Sequence, residues 1–130
     1  MSRVLIVDDS PSQLVGMKRT VEKLGHQVIT AEDGAAGVEA ARRELPDLIL
    51  MDVVMPNLNG FQATRTIAKD PKTSHIPIIL VTTKDQDTDR MWGLRQGAKA
   101  YLTKPFSEDE LAEVIERVFN ARELPDPPAA

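Results

Sequence analysis

The chain has 130 residues, 42% of them hydrophobic and 28% charged, with a formal net charge of −4 and no cysteine. That length predicts one domain with a sizeable core, and the composition is that of an ordinary soluble globular protein. Scattered basic residues argue against nucleic-acid binding, zero cysteines exclude disulfide scaffolds, thiolate metal sites and cysteine nucleophiles, and no apolar run approaches the roughly 20 residues of a membrane span.

Residues 1–10 lack the basic, apolar and small-residue zones of a signal peptide, which together with the missing cysteines predicts a cytoplasmic location. The terminal LPDPPAA breaks the composition and reads as a short disordered tail, giving a domain over 1–121 and a tail over 122–130.

The first predicted strand is VLIV (4–7), apolar at every position, and Asp8 and Asp9 follow it. Ser10 with Gln13 predicts a capping box, and Pro11 suits the first helical position, so the first helix begins at residue 11. Leu14, Met17, Val21 and Leu24 share one face before Gly25 stops that helix. QVITA (27–31) is the second strand, and Asp33 caps a helix running to about Leu45.

DLILM (47–51) is the third strand and ends on Asp52. A turn through Pro56, Asn57 and Gly60 then leads into a helix capped by Asn59 and Gln62, carrying Phe61, Thr64, Ile67 and Ala68. IPIILV (76–81) is the fourth strand, followed by Thr82 and Thr83. A helix from about residue 86 to Gly97 carries a core-facing Met91 and then Trp92, the single tryptophan. AYLT (100–103) is the fifth strand and delivers Lys104 and Pro105. Ser107 and Glu110 form a capping box for a last helix that buries Leu111, Val114, Ile115 and Val118.

Strands apolar at every position suit a parallel sheet covered on both faces. The alternation is therefore (βα)₅, an α/β doubly wound, flavodoxin-like five-stranded sheet with strand order 2-1-3-4-5. Ligands of such sheets sit beyond the carboxyl ends of the strands, at the switch point between strands 1 and 3. Asp8, Asp9, Asp52, Thr82, Thr83 and Lys104 all fall on that rim.

Each of these residues alone has a bland reading as a cap, a strand former or a solvated loop residue; their convergence is the signal. Two like charges 4 Å apart repel by about 4 kcal/mol at an effective dielectric of 20, so three carboxylates need a cation or a raised pKa. Oxygen donors without histidine or cysteine suit Mg²⁺, which keeps waters while taking carboxylates and phosphate oxygens. Lys104 could pair with Asp52 or with a phosphoryl oxygen. Asp52, ending the central strand, is the candidate phosphoacceptor through an acyl phosphate, a reaction that needs no acid–base residue here. His26 and His75 read as surface residues rather than catalytic ones.

The set VLIVDDS, LILMDVVMPNLNG, IILVTT and GAKAYLTKPF resembles the receiver domains of two-component response regulators in their CheY-like single-domain form, over residues 3–120. The stretch from Phe61 to Pro105 is most similar to regulators of type IV pilus twitching motility. The resemblance implies that a histidine kinase phosphorylates Asp52. It also implies that Asp9 and Asp52 bind Mg²⁺ directly, Asp8 mainly through water, and Val54 through its backbone carbonyl. Thr82 becomes the switch hydroxyl, Lys104 the phosphate-binding ammonium, and Tyr101 the aromatic that follows the switch, with the Lys104–Pro105 peptide cis.

Helix 4, strand 5 and helix 5 become the readout surface for a downstream motility or signalling protein, with Trp92 as a packing residue or partner contact. A monomer, or a weak phosphorylation-dependent dimer, is expected, acting as messenger or as phosphate sink. Thr83 stands where such domains often carry Ala or Gly, and its bulk predicts slower phosphoryl turnover. Rival readings are a Mg²⁺-dependent aspartyl-phosphate phosphatase, which would need a second acid where Val54 stands, and an unphosphorylated scaffold, which would predict a broken acid set.

Overall fold

The computed structural model describes residues 2–123. Five strands, β1 (Arg3–Val7), β2 (Gln27–Ala31), β3 (Leu48–Met51), β4 (Ile78–Thr82) and β5 (Ala100–Thr103), alternate with α1 (Pro11–Lys23), α2 (Gly34–Glu44), α3 (Gly60–Lys69), α4 (Asp87–Arg95) and α5 (Glu108–Glu123). All strand pairs are parallel and the order is β2-β1-β3-β4-β5, as the sequence predicts.

The pleat explains the unbroken apolar strands. Val4, Ile6, Leu48, Leu50, Ile79 and Val81 face one way, into a core closed by α1 and α5. Leu5, Val7, Ile49, Met51, Ile78 and Leu80 face the other way, into a core shared with α2 and α3. Each inner strand is therefore buried on both faces, whereas the edge strand β2 exposes Gln27 and Thr30.

The caps at α2, α3 and α5 follow the sequence. Asp33 accepts from the Ala36 N–H at 2.7 Å, Asn59 and Gln62 exchange both bonds of a capping box, and Ser107 and Glu110 do the same. Ser10 does not fit its prediction: its side chain caps nothing, and its N–H instead donates to Asp8 Oδ1 at 2.9 Å. The carboxylate two residues back takes over the turn, so Ser10 fixes Asp8 rather than the helix.

Three further expectations are corrected. β4 starts at Ile78, not 76; Pro77 has no N–H for a ladder, and only its carbonyl pairs, accepting from the Ile49 N–H. Met91 is 56% exposed, not core-facing. The buried residue of α4 is Gly93, and at 100° per residue Met91 lies some 200° around the helix from it. Finally, α5 continues through residue 123, two residues past the boundary read from composition, while the rest of the predicted tail lies outside the described residues. His75 is exposed as expected, but His26 is half-buried, its ring 5.3 Å from that of Phe119 and its Nδ1 accepting from the Ser2 N–H.

Candidate functional site

The carboxyl ends of β1 and β3 are adjacent, so Asp8 and Asp52 leave the sheet side by side. The ladder continues past the strand ends: Asp52 N–H donates to the Val7 carbonyl at 2.9 Å, Asp8 N–H to the Ala31 carbonyl at 3.1 Å, and Lys104 N–H to the Thr82 carbonyl at 2.7 Å. These bonds fix the three backbones at the point from which the side chains converge.

One carboxylate oxygen from each of Asp8, Asp9 and Asp52 lies within 4.8 Å of the others. Asp8 is 1% exposed and Asp52 7%, while Asp9 is open to solvent. Lys104 Nζ lies 2.8 Å from Asp8 Oδ2 and 3.8 Å from Asp52 Oδ1. Lys104 thus engages Asp8 most closely, a pairing that the sequence reading did not assign. Both oxygens of Asp8 are then occupied, one by Lys104 and one by the Ser10 N–H. Asp52 Oδ1 also accepts from the Val53 N–H at 2.9 Å.

Burial pushes the Asp52 carboxyl up to about 6; Lys104 pulls it down, and Asp8 and then Asp9 push it up again. A carboxylate in that position gains from any added cation. The donor set fits a hard divalent ion: three convergent oxygens, no nitrogen or sulfur donor, one solvent-open ligand in Asp9, and one lysine that leaves the charge incompletely balanced.

Residues 4–116 match the response regulator receiver domain family. The chain belongs to that family. It is 58% identical to the protein PilH of Pseudomonas aeruginosa over 119 residues, covering 92% of the chain and 98% of PilH. It is 43% identical to the response regulator PleD of Caulobacter vibrioides over 109 residues, which are 82% of the chain and 24% of PleD. Among solved structures, the chemotaxis protein CheY4 of Vibrio cholerae superposes with a TM-score of 0.86 at 32% identity, covering 91% of the chain and 98% of CheY4. The receiver domain of a sensor histidine kinase from Pseudomonas aeruginosa PAO1 superposes with a TM-score of 0.82 at 34% identity, covering 89% of the chain and 95% of that domain. That second structure has a magnesium ion coordinated in its active-site cleft.

The remaining rim residues of this receiver domain sort into two groups. Thr82 closes β4 fully buried, its Oγ1 accepting from the Lys84 N–H at 3.3 Å. Thr83 is exposed and, with Ser12, Met17, Lys104, Phe106 and Leu111, lines a cavity of about 520 Å³ between α1 and the β5–α5 turn. Val54 presents an exposed side chain two residues past Asp52.

Tyr101 stands apart from the carboxylates. Its hydroxyl donates to the Lys84 carbonyl at 2.8 Å, and burial pushes the phenol up to about 12. Lys84 therefore bonds the hydroxyl of Thr82 through its N–H and that of Tyr101 through its C=O. The Arg90 guanidinium lies 5.6 Å from the centre of the Tyr101 ring and donates to Thr103 Oγ1 at 3.0 Å. The sequence reading missed Arg90, because nothing in the sequence of a polar helix says which side chain leans over the neighbouring strand. Trp92 is 50% exposed, and Met91 and Leu94 of α4 are exposed as well.

Proposed function

We propose that the protein is a phosphorylation-controlled switch in which Asp52 accepts a phosphoryl group from a histidine kinase. The observation that carries this reading is Asp52 held at the end of the central strand within reach of Asp8, Asp9 and Lys104. In transfer, an Asp52 carboxylate oxygen attacks phosphorus, the P–N bond to the donor imidazole breaks, and the imidazole nitrogen leaves with its electron pair. Attack by water on the acyl phosphate later breaks the P–O bond to Asp52 and releases inorganic phosphate.

Asp9 and Asp52 would hold Mg²⁺ directly, with Asp8 acting through water and the Val54 carbonyl completing the protein ligands. A bound Mg²⁺ would supply charge neutralisation during phosphoryl transfer. Lys104 keeps a fixed positive charge beside Asp8 and Asp52 and is placed to receive a second phosphoryl oxygen. Thr82 turns its hydroxyl toward the same group, and Lys84 links that movement to Tyr101. The output is a protein-binding surface over α4, β5 and α5, with Trp92 as a contact; the exposed, adjacent Met91 and Trp92 support that choice.

The 58% sequence identity to PilH and the sequence resemblance to twitching-motility regulators support a place in chemosensory control of type IV pili, as messenger or phosphate sink. Among the described residues no helix is long and apolar enough to cross a membrane, and we place the protein in the cytoplasm with its kinase. Val54 sits where a phosphatase of the aspartyl-phosphate type needs its second acid, so an enzyme of that class is the weaker reading.

Thermal melts with Mg²⁺ and the phosphoryl mimic beryllofluoride test the reading. The two together should raise the melting temperature of the wild type and leave Asp52→Asn unmoved. An equal rise in both proteins rules Asp52 out as the acceptor.

A further inference from the structure

The seven-residue loop 53–59 joins Asp52 to α3 and carries Val54. It is pinned at its far end by Gly60, whose N–H donates to the Val53 carbonyl at 2.9 Å. A Cβ at Gly60 would stand 2.7 Å from Val53 Cα and collide with the Asp52 carbonyl oxygen. The loop has a second support that comes from another part of the chain. At Gly34, the first residue of α2, a Cβ would collide with the carbonyl oxygen of Leu58 and stand 3.0 Å from its carbonyl carbon and 3.1 Å from its Cβ.

Neither partner in that contact can easily withdraw. Asp33 caps α2 through the Ala36 N–H, and its carbonyl accepts from the Gly37 N–H at 2.9 Å. On the loop side, Leu58 is packed against the core between Asn57, held at φ 67°, and Asn59, the cap of α3. A side chain at position 34 must therefore move the loop or the helix start. Gly34 has no unusual φ to require glycine, and alanine is the better helix former, so the close approach is the reason glycine fits there.

Resting on the proposed reading of the Asp52 site, we infer that Gly34 is a positioning residue for the metal site: its missing side chain lets α2 seat the 53–59 loop and so sets where Asp52 and the Val54 carbonyl stand. A loop this short, fixed at both ends, passes a shift at Leu58 on to Val54 rather than absorbing it. The effect reaches the site through the backbone, and Gly34 itself touches neither ion nor phosphoryl group.

Calorimetric titration with Mg²⁺ alone, at a temperature where each variant is fully folded, tests this. Gly34→Ala should weaken Mg²⁺ binding about tenfold, the scale of losses when groups orienting a metal ligand are changed. Gly16→Ala, which places a methyl group in open space on α1, should bind as the wild type does. Excess Mg²⁺ should restore phosphoryl uptake from an acyl phosphate to Gly34→Ala, as a loss of positioning predicts. Wild-type affinity in Gly34→Ala overturns the inference while leaving the site reading intact. Should that variant fail to fold, Leu58→Ala, which loosens the same loop from the core side, decides: weakened binding supports the inference and unchanged binding overturns it. A wild-type chain that binds no Mg²⁺ defeats the site reading and the inference with it.

Discussion

Lys104 Nζ lies 1 Å closer to Asp8 than to Asp52, at 2.8 Å against 3.8 Å, so the one ammonium in the cluster is tied to the carboxylate that is already bonded to the Ser10 N–H. Asp52 is left with the Val53 N–H and a more distant cation. Asp52 is therefore the less neutralised of the two buried acids.

Removing the ammonium should expose that imbalance. Lys104→Met is expected to push the Asp52 carboxyl above its wild-type value of about 6, readable by carbon NMR titration of the aspartate side chains. The initial rate of phosphoryl uptake at neutral pH should drop by on the order of a hundredfold. An unchanged titration would show that Lys104 serves Asp8 alone.

The raised Asp52 pKa has a definite sign for stability. Against an ordinary value of 3.8, a folded value of about 6 means that the folded state holds more protons than the unfolded chain between those limits. This carboxyl therefore takes stability away as pH rises from about 4 to 6. Glu44 and Asp70, held low by Arg3 and by the Lys72 N–H with Arg42, act in the opposite sense, so the useful quantity is the difference between wild type and Asp52→Asn. The variant should be more stable by up to about 3 kcal/mol at pH 7, with the gap closing toward pH 4. Denaturant melts at three pH values check this, and Mg²⁺ should narrow the gap at pH 7 by stabilising only the wild type.

Thr83 lines the cavity beside Lys104, on the approach from α1 and the β5–α5 turn. Thr83→Ala should shorten the lifetime of the acyl phosphate severalfold by admitting water; equal decay rates for the two proteins would remove Thr83 from the account.

Tyr101 spends its hydroxyl on the Lys84 carbonyl and not on the carboxylates. Tyr101→Phe should cost about 1 kcal/mol in a denaturant melt, the net worth of one hydrogen bond. Phosphoryl uptake should stay within about twofold, because the bond lies outside the acid cluster. A large loss of uptake would place Tyr101 in the chemistry rather than in the relay.

Much of this architecture was legible in the residues. Unbroken apolar runs at VLIV and IILV required a two-sided parallel sheet, and strand order then brought Asp8, Asp52 and Lys104 to one rim. What the sequence could not carry were contacts between elements distant in the chain. Periodicity put Met91 inside because it is apolar, whereas α4 meets the sheet through Gly93, a residue with no hydropathy signal. Ser10 matched a capping pattern, but Asp8 competed for its turn from two residues away. Arg90 over Tyr101 and Gly34 against Leu58 are likewise products of how α4 meets β5 and α2 meets the 53–59 loop.

The central claim is that Asp52 is the acceptor, and intact-mass analysis after incubation with a small acyl-phosphate donor and Mg²⁺ tests it most directly. The wild type should gain the mass of one phosphoryl group, lost on dilution into chelator-free buffer over time, and Asp52→Asn should gain none. An adduct on both proteins, or on neither, would contradict the account.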